Sequence, residues 1–441
     1  MRRLLVSAFL VACSIAIFSG SALSLPPIQR FVLDNGLVLL ISEEHSLPFI
    51  TFQFLVKTGS KDDPPGQEGL ASLSASSLPL GCAGRTMQQI NEELDFMGAA
   101  VSSGANEDYT AISLRVLRKD VDRAFPIVMD ILTVPAFPVQ EVKKEISRTL
   151  GAIQSSEDQP GVVAEKAFEK ALYDGGPYGH PTEGTKESVA RLNREMVSAF
   201  HRTYYHPNNT IVVVVGDVDD GLLKKDIRPM LERWQRKTVP LWKGQTPSPG
   251  KGRTVKIDKP VTQSNIVIGS MGMSRDSRDY YAAQVMNYIF GGGSLSSRLM
   301  EDIRNKRGLA YSVSSYFQAQ KHSGSFQVLL QTKTASTNES IAAVMEDAGL
   351  IRAELVSQAE IEDAKKYLVG SFPQRFGSQS KIASFFGQVE YYGLGLEYAK
   401  EYPSLINSVT REDVLRIART YLNPDGFITV VVSDLKAAQG K

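Results

Sequence analysis

Arg304 and Tyr311 are the two side chains whose types and spacing most directly permit chemistry. A guanidinium is a planar cationic donor and a phenol is a neutral donor, so both groups can hold a peptide carbonyl or a developing oxyanion. The plainer interpretation is a solvated helix residue followed by a half-buried strand residue. Spacing alone leaves that interpretation open.

The segment before Arg304 is predicted to be a loop followed by a helix. Three consecutive glycines at residues 291–293 favour a loop with unusual backbone angles or a close approach. Leu295, Leu299 and Ile303 then recur every four residues, as one apolar helix stripe does. Gly308 is a natural helix end.

The segment after Gly308 is predicted to be a strand. Leu309, Tyr311 and Val313 alternate with alanine and serine, which is the pattern of a half-buried strand. Because a helix that turns directly into a strand folds back on itself, we expect Arg304 and Tyr311 to lie close together.

Other chemistry-bearing residues give weak signals. The chain has five histidines and none forms an i,i+4 pair; His201 and His206 are five residues apart and fall on different helix faces. The serine cluster at residues 74–77 lacks a Gly-x-Ser-x-Gly elbow, so it is interpreted as helix packing. Residues 291–293 lack the Lys-Ser/Thr of a phosphate-binding loop.

Composition excludes several classes of function. The chain has 441 residues, a length sufficient for two or three domains with hydrophobic cores. Its hydrophobic content of 42% and charged content of 22% are ordinary for a globular protein. The formal net charge of +1 gives no electrostatic case for binding nucleic acid or an anionic membrane.

The N-terminus has the pattern of a secretory signal peptide over residues 1–24. Arg2 and Arg3 precede an apolar run from residue 4 to 18, and small residues follow, so cleavage is expected after Ala22 or Ser24. The mature protein is therefore expected to be secreted or periplasmic, with no integral membrane segment. A lipoprotein anchor at Cys13 is the rival interpretation, and the apolar run continuing past Cys13 argues against it.

Alternating strands and helices with hairpins predict an α+β fold, and the predicted helices include residues 163–173 and 187–204. The chain also repeats itself. Arg194-Glu195 recurs as Arg411-Glu412 and the valines at 213–215 recur at 430–432, always at an offset of 217 residues. We therefore expect two homologous domains, each a mostly antiparallel sheet packed with helices. Their predicted bounds are 28–235 and 254–436, joined by a Pro/Gly-rich linker at 236–253.

The chain resembles the M16 zinc peptidases, the family of pitrilysin and mitochondrial processing peptidase. A Gly-rich loop, a helical arginine and the run Arg307-Gly308-Leu309-Ala310-Tyr311 carry the resemblance, together with the two-copy organisation. In the family an arginine lies seven residues before the tyrosine of that run. The resemblance therefore implies that Arg304 and Tyr311 are active-site donors.

The resemblance also implies that the metal site has been lost. The family's His-x-x-Glu-His motif follows a Gly-Leu pair that matches Gly69-Leu70, and it would fall on Ser72, Ala75 and Ser76. The family's later glutamate ligand matches Ala152, and only an assisting glutamate survives, as Glu145. Serine hydroxyls are poor zinc ligands at neutral pH, so we expect no zinc in this chain.

A peptide-binding edge is implied by the same resemblance. The family holds substrate as an added strand on an edge of its first domain, and residues 102–110 match that region, with Gly104, Ala105 and Asn106 as the expected contacts. An ordinary edge strand is the alternative.

Three functions follow as hypotheses. The first is a non-catalytic, substrate-binding subunit of an exported heteromeric zinc protease. Its M16-type partner would carry the intact motif and the zinc, and it would act on a peptide or an unfolded protein. The second is a silent scaffold or peptide-binding protein of the same fold. The third is a peptidase that is active on its own, through unconventional ligands or as a homodimer.

Overall fold

A computed structural model describes residues 25–173, 175–244 and 251–438. Within them the chain forms two large β-sheets, one from each half of the sequence, and a small two-stranded ribbon. The proposed signal peptide, with Cys13, lies outside the described residues, as do residues 245–250 of the proposed linker. None of the helices in the described part has the length and apolar character needed to span a lipid bilayer.

The first sheet has six strands in the order β1-β2-β8-β3-β7-β6. All neighbours are antiparallel except the pair β2 and β8. The bounds of the first eight strands, including the ribbon β4–β5, are β1 Gln29–Val32, β2 Val38–Glu43, β3 Phe49–Val56, β4 Gly81–Cys82, β5 Arg85–Thr86, β6 Ala100–Ala105, β7 Thr110–Leu117 and β8 Thr210–Gly216.

The second sheet repeats this arrangement with five strands in the order β9-β13-β10-β12-β11. Its only parallel pair is β9 and β13, just as β2 and β8 are in the first sheet. The strands are β9 Arg253–Asp258, β10 Gln263–Met271, β11 Ala310–Ala319, β12 Gly324–Lys333 and β13 Ile428–Ser433. The valine runs of the repeat therefore occupy equivalent strands, and the expected α+β fold of two similar halves is confirmed.

Helices cover both sheets. In the first half they are Leu70–Ser77, Met87–Phe96, Val121–Thr133, Val139–Glu157, Pro160–Tyr173, Lys186–Val189, Arg194–Tyr204 and the joined segments Asp220–Leu222, Leu223–Ile227 and Arg228–Arg233. In the second half they are Tyr280–Asn287 with its continuation Tyr288–Gly292, Met300–Lys306, Thr337–Ala353, Gln358–Ser371, Gln379–Tyr392, Tyr398–Asn407, Arg411–Tyr421 and Leu435–Ala438.

Each half gives one helix to the sheet of the other half. Helix Pro160–Tyr173 packs Ala164, Phe168 and Leu172 against the second sheet. Reciprocally, helix Gln379–Tyr392 packs against the first sheet. Because each of these helices buries its apolar residues on the other half's sheet, the two halves share their cores.

A buried carboxylate holds the halves together. Asp108, in the turn between β6 and β7, accepts hydrogen bonds at its carboxylate from the Tyr178 hydroxyl (2.7 Å) and the Lys321 main-chain N–H (2.8 Å). Its main-chain carbonyl accepts one from Tyr391 of helix Gln379–Tyr392 (2.9 Å). Only 2% of Asp108 is exposed, so this turn is fixed by both halves.

Two local expectations differ from the structure. Gly291 and Gly292 end a helical segment, Tyr288–Gly292, rather than starting a loop. A Cβ on Gly291 would lie 2.4 Å from the Ser315 hydroxyl, so the glycine serves a close approach. The helix expected over 187–204 is two helices, because Asn193 caps the second through the Met196 N–H (3.0 Å). The predicted domain and linker bounds stay predictions.

Candidate functional site

Arg304 lies on helix Met300–Lys306, which is wound with π-type hydrogen bonds. Leu299 and Ile303 are fully buried and fix the inner face of this helix. Gly308, with φ +65°, then reverses the chain, and the Leu309 N–H donates to the Ile303 carbonyl (2.9 Å). This tight connection brings β11 back beside the helix, as expected for the Arg304 and Tyr311 pair.

Tyr311 is the extra residue of a β-bulge. Ala310 pairs with Thr332 and Ser312 pairs with Gln331, so Tyr311 has no partner on β12. Val313 and Ser315 point into the core, and regular alternation would send Tyr311 the same way. The bulge turns its side chain outward instead, and 77% of Tyr311 is exposed.

The two side chains meet at the surface. The guanidinium carbon of Arg304 lies 5.2 Å from the centroid of the Tyr311 ring, within cation–π range. Arg304 makes no ion pair with any described residue, whereas Lys306 pairs with Glu301 (3.9 Å) and Arg307 pairs with Asp302 (2.7 Å). The Tyr311 hydroxyl likewise has no hydrogen-bond partner in the described part of the chain. Both donors are therefore available to an outside acceptor.

The strand expected to bind peptide is an edge strand. β6 pairs only with β7 in the first sheet, and Gly104 is exposed with open space where a Cβ would point. Among the described residues, no strand lies on the other side of the β6 main chain, which is the geometry needed for strand addition. Ala105 is half-buried at the end of β6.

Asn106 has a different task. Its side-chain oxygen accepts hydrogen bonds from the main-chain N–H groups of Asp108 and Tyr109, both at 2.8 Å. Its carbonyl accepts one from the Ser60 N–H (2.9 Å). These bonds hold the β6–β7 turn in its conformation. In this structure Asn106 therefore positions the end of β6.

The helix that matches the lost motif lies directly beside this edge. Ser103 of β6 donates its hydroxyl hydrogen to the Ala75 carbonyl (2.8 Å). The helix starts at Gly69, with φ +95°, and Asp63 accepts the N–H groups of Gly69 and Ala71, both at 2.7 Å. The scaffold of the motif is thus intact around replaced residues.

The side chains at the motif positions do not form a zinc site. Ser72 and Ser76 are half-buried, and Ser76 donates to the Leu73 carbonyl (3.2 Å). Glu145 is buried and pairs with Arg148 (2.9 Å), and Ala152 is exposed. No three His, Cys, Asp or Glu side chains of the described residues converge to hold a metal ion. Ser74 and Ser77 are fully buried, which fits the packing interpretation of the serine cluster.

The five histidines all have structural contacts. His201 and His206 bond to main-chain carbonyls of Leu132 (2.8 Å) and Arg202 (2.9 Å). The other three are engaged as follows: His45 with Asp217 (2.7 Å), His180 with the Pro181 carbonyl (3.1 Å), and His322 stacked on Trp242 with 3.9 Å between ring centroids.

Sequence reasoning missed Asp108, whose side chain fixes the turn at the end of β6. Nothing in the local sequence distinguishes it from Glu107, because the hydrogen-bond partners of its carboxylate lie 70 or more residues away, on Tyr178, Lys321 and Tyr392. No local signal could have found it.

Known protein families match both halves of the chain. Residues 38–186 match the family described as insulinase (peptidase family M16), and residues 191–368 match the one described as peptidase M16 inactive domain. Full-length relatives include uncharacterised zinc proteases of Streptomyces coelicolor and Rickettsia bellii. The first is 26% identical over 92% of this chain and 89% of its own. The second is 28% identical over 90% of this chain and 96% of its own.

Solved structures agree with this assignment. A peptidase M16 inactive domain from Pseudomonas fluorescens superposes with a TM-score of 0.87 and 27% identity, covering 92% of this chain and 98% of that one. A protease from Helicobacter pylori superposes with a TM-score of 0.83 at 19% identity, covering 92% of this chain and all of that one, and this likeness concerns the fold.

Proposed function

Because the chain belongs to peptidase family M16, we propose that it is the non-catalytic, substrate-binding subunit of a heteromeric zinc metalloprotease. Its partner is an M16 chain with an intact His-x-x-Glu-His motif, which holds the zinc and activates the attacking water. This chain supplies Arg304 and Tyr311, and its substrate is a peptide or an unfolded protein.

The observation that carries the proposal is a pair of donors that have no oxygen acceptor among the described residues; Arg304 Nη1 contacts only the Met300 Sδ (3.9 Å). Arg304 is the one basic residue of its helix turn that lacks a carboxylate among the described residues, while Lys306 and Arg307 have theirs. Tyr311 is held outward by a bulge that interrupts an otherwise regular pairing. Bulges of this kind commonly aim a side chain at an active site.

These groups would act on the oxygen of the scissile carbonyl. As water attacks, that oxygen gains negative charge, and fixed donors lower the barrier by binding it more strongly than the ground-state carbonyl. Arg304 offers a cationic fork, and Tyr311 offers one hydroxyl. The Arg304 guanidinium lies against the Tyr311 ring, so each group limits the movement of the other.

The edge strand β6 supports the binding part of the proposal. A peptide that extends the first sheet there would lie beside Gly104, which has open space where a Cβ would point and no side chain to crowd the peptide. Export to the periplasm or beyond is a further part, and it rests on the N-terminal sequence pattern alone.

The proposal is tested by removing the Tyr311 hydroxyl in the reconstituted complex of this chain with its partner. The partner is the M16 chain that co-purifies with this protein from its native cell envelope. Tyr311→Phe keeps the ring and should lower turnover of a peptide by about 10²–10³, as loss of one oxyanion donor does. Arg304→Lys should also lower turnover, because the planar fork is lost while the charge remains.

A matched control separates this effect from folding. Tyr288 is a half-buried tyrosine of the same half whose ring packs on Tyr367, with 4.8 Å between centroids, and Tyr288→Phe should leave turnover unchanged. Thermal unfolding and metal content are measured in parallel, with zinc expected in the partner. Full turnover in a well-folded Tyr311→Phe complex would reject the catalytic role and favour the scaffold.

A further inference from the structure

A cleft in the second half of the chain is lined by three basic side chains and, among the described residues, by no acidic one. Its inner pocket has a volume of about 230 Å³ and its outer part about 630 Å³. Both parts share Arg375, Phe385 and Gln388, so they are continuous. Arg275 lines the inner pocket and Lys381 the outer part. We call this the basic cleft.

Arg275 is a buried cation without a carboxylate. Only 9% of it is exposed, and it forms no ion pair with any described residue. Its Nη2 donates to the Tyr398 hydroxyl (2.8 Å), and its guanidinium carbon lies 3.7 Å from the centroid of the Tyr280 ring. A buried charge without its counterion is costly, so a site of this kind favours an incoming anion.

The nearby carboxylates are committed elsewhere. Asp276 accepts the Ser274 hydroxyl (2.6 Å), and Asp279 pairs with Arg416 (2.7 Å). Arg375 lies over the Phe372 ring, 5.6 Å from its centroid, and it too forms no ion pair with the described residues. The positive charge of the cleft is therefore uncompensated within this part of the chain.

The walls favour a carboxylate over a phosphate. Phosphate sites generally use main-chain N–H groups at helix N-termini or in glycine-rich turns. The basic cleft is instead walled by aromatic rings and by the Gln388 side-chain amide. Two arginine forks suit a planar carboxylate, and the inner pocket has room for one side chain rather than a nucleotide.

The cleft is connected to the peptide-binding edge. The Gln388 amide donates to the Tyr109 hydroxyl (3.3 Å), and Tyr109 lies four residues beyond Ala105, the last residue of β6. The Tyr109 ring also packs on Tyr391, with 5.1 Å between centroids. Tyr109, in the β6–β7 turn that ends the β6 edge, thus contacts a residue that lines the cleft.

We propose that the basic cleft binds an acidic side chain of a peptide held on the β6 edge, with Arg275 and Arg375 as the selecting residues. This inference rests on the peptide-binding part of the proposed function. It assigns a preference for aspartate or glutamate at one position of the bound peptide.

The experiment measures binding to the full mature chain alone, by calorimetry. Two end-blocked peptides are compared that differ only in one central glutamate or glutamine. The glutamate peptide should bind on the order of tenfold more tightly, since hydrogen bonds to a charged group exceed those to a neutral one by about this factor. The preference should disappear in Arg375→Gln and in Arg275→Lys, and it should persist in Arg278→Gln, an exposed control arginine.

Each outcome has one meaning. Equal affinity for the two peptides, or a preference that survives Arg375→Gln in a folded protein, would overturn the assignment of the cleft. Displacement of the glutamate peptide by inorganic phosphate at lower concentrations than by acetate would reassign it to phosphate. Binding of neither peptide would overturn the peptide-binding edge as well. These binding measurements use no partner subunit. They can therefore still be interpreted if Arg304 and Tyr311 prove to have no catalytic role.

Discussion

His201 shows how strongly the interior controls a single residue. Its ring lies between Phe137 and Tyr205, and Nε2 donates to the Leu132 carbonyl (2.8 Å). Burial lowers the pKa of His201 to about 4, with nearby His206 and Arg202 acting in the same direction. The imidazole is therefore neutral in the folded protein at neutral pH, with its proton on Nε2.

We expect this residue to make the fold sensitive to acid. Above the ordinary histidine pKa, neither state of the protein binds the proton and His201 adds no pH dependence. As pH falls below about 6.5, the unfolded chain takes up the proton while the folded chain excludes it until pH 4. Between pH 7.5 and 5 the wild type should thus lose about 2 kcal/mol more unfolding free energy than His201→Gln.

The check is denaturant unfolding at both pH values. His45→Gln serves as the control, because His45 is exposed and Asp217 raises its pKa instead. His45→Gln should still show the loss of unfolding free energy between pH 7.5 and 5 that is attributed to His201. Identical pH dependence in the wild type and His201→Gln would contradict the prediction.

Single residues also show which features could be predicted from the sequence and which could not. The pattern of a helix that turns directly into a strand predicted that Arg304 and Tyr311 lie close together, and they do. The alternating pattern predicted Tyr311 on the same face as Val313, which was wrong, because the bulge at Tyr311 shifts the register. A bulge depends on how two strands pair, and that information is absent from one strand.

At the scale of elements, helix Gln379–Tyr392 approaches the first sheet closely at a glycine. A Cβ on Gly387 would lie 2.6 Å from the Leu55 Cδ1. On the neighbouring helix, Gly370 is exposed with open space at the same position. The two glycines differ in what they contact, while both carry the same low helix propensity.

Substituting leucine at each glycine should have opposite effects. Gly387→Leu should destabilise the protein by about 1–3 kcal/mol, because the larger side chain overpacks the contact with Leu55. Gly370→Leu should be neutral or stabilising by about 0.5 kcal/mol, since it only improves helix propensity. Thermal midpoints measure both, and a Gly387→Leu protein as stable as Gly370→Leu would argue against the close packing.

Most elements could be predicted, but their partners could not. Apolar periodicity predicted a helix over 163–173, and the helix Pro160–Tyr173 is present. Periodicity shows that a helix has an apolar face and does not show which sheet that face covers. The exchange of helices between the halves was therefore missed. Arg275 was missed for a similar reason, because a loop arginine shows its burial only once Tyr280 and Tyr398 surround it.

At the scale of the whole molecule, the exchanged helices make the halves interdependent. Leu40, Val213 and Val215 of the first sheet are buried in the same core as Phe386 and Val389 of the second half. The ungapped repeat predicted two similar units, and the five strands of the second sheet match five of the six strands of the first. The repeat could not predict that each sheet is partly covered by a helix from the other half.

We expect neither half to fold alone. Residues 25–244 expressed alone should be insoluble or lack cooperative unfolding, because the sheet face under helix Gln379–Tyr392 would be exposed to water. Co-expressed with residues 251–438, the same fragment should co-purify in a one-to-one complex. Gel filtration and thermal unfolding test this, and a soluble, cooperatively unfolding single half would refute it.

The same exchange sets the order of events during synthesis. β8 completes the first sheet at Gly216, but helix Gln379–Tyr392 leaves the ribosome about 180 residues later, roughly 10–35 s at ordinary translation rates. Throughout that interval the nascent first half has one sheet face without its cover. The N-terminal half thus cannot fold first as an independent domain, because a helix from the last third of the chain must be made before the first half becomes native.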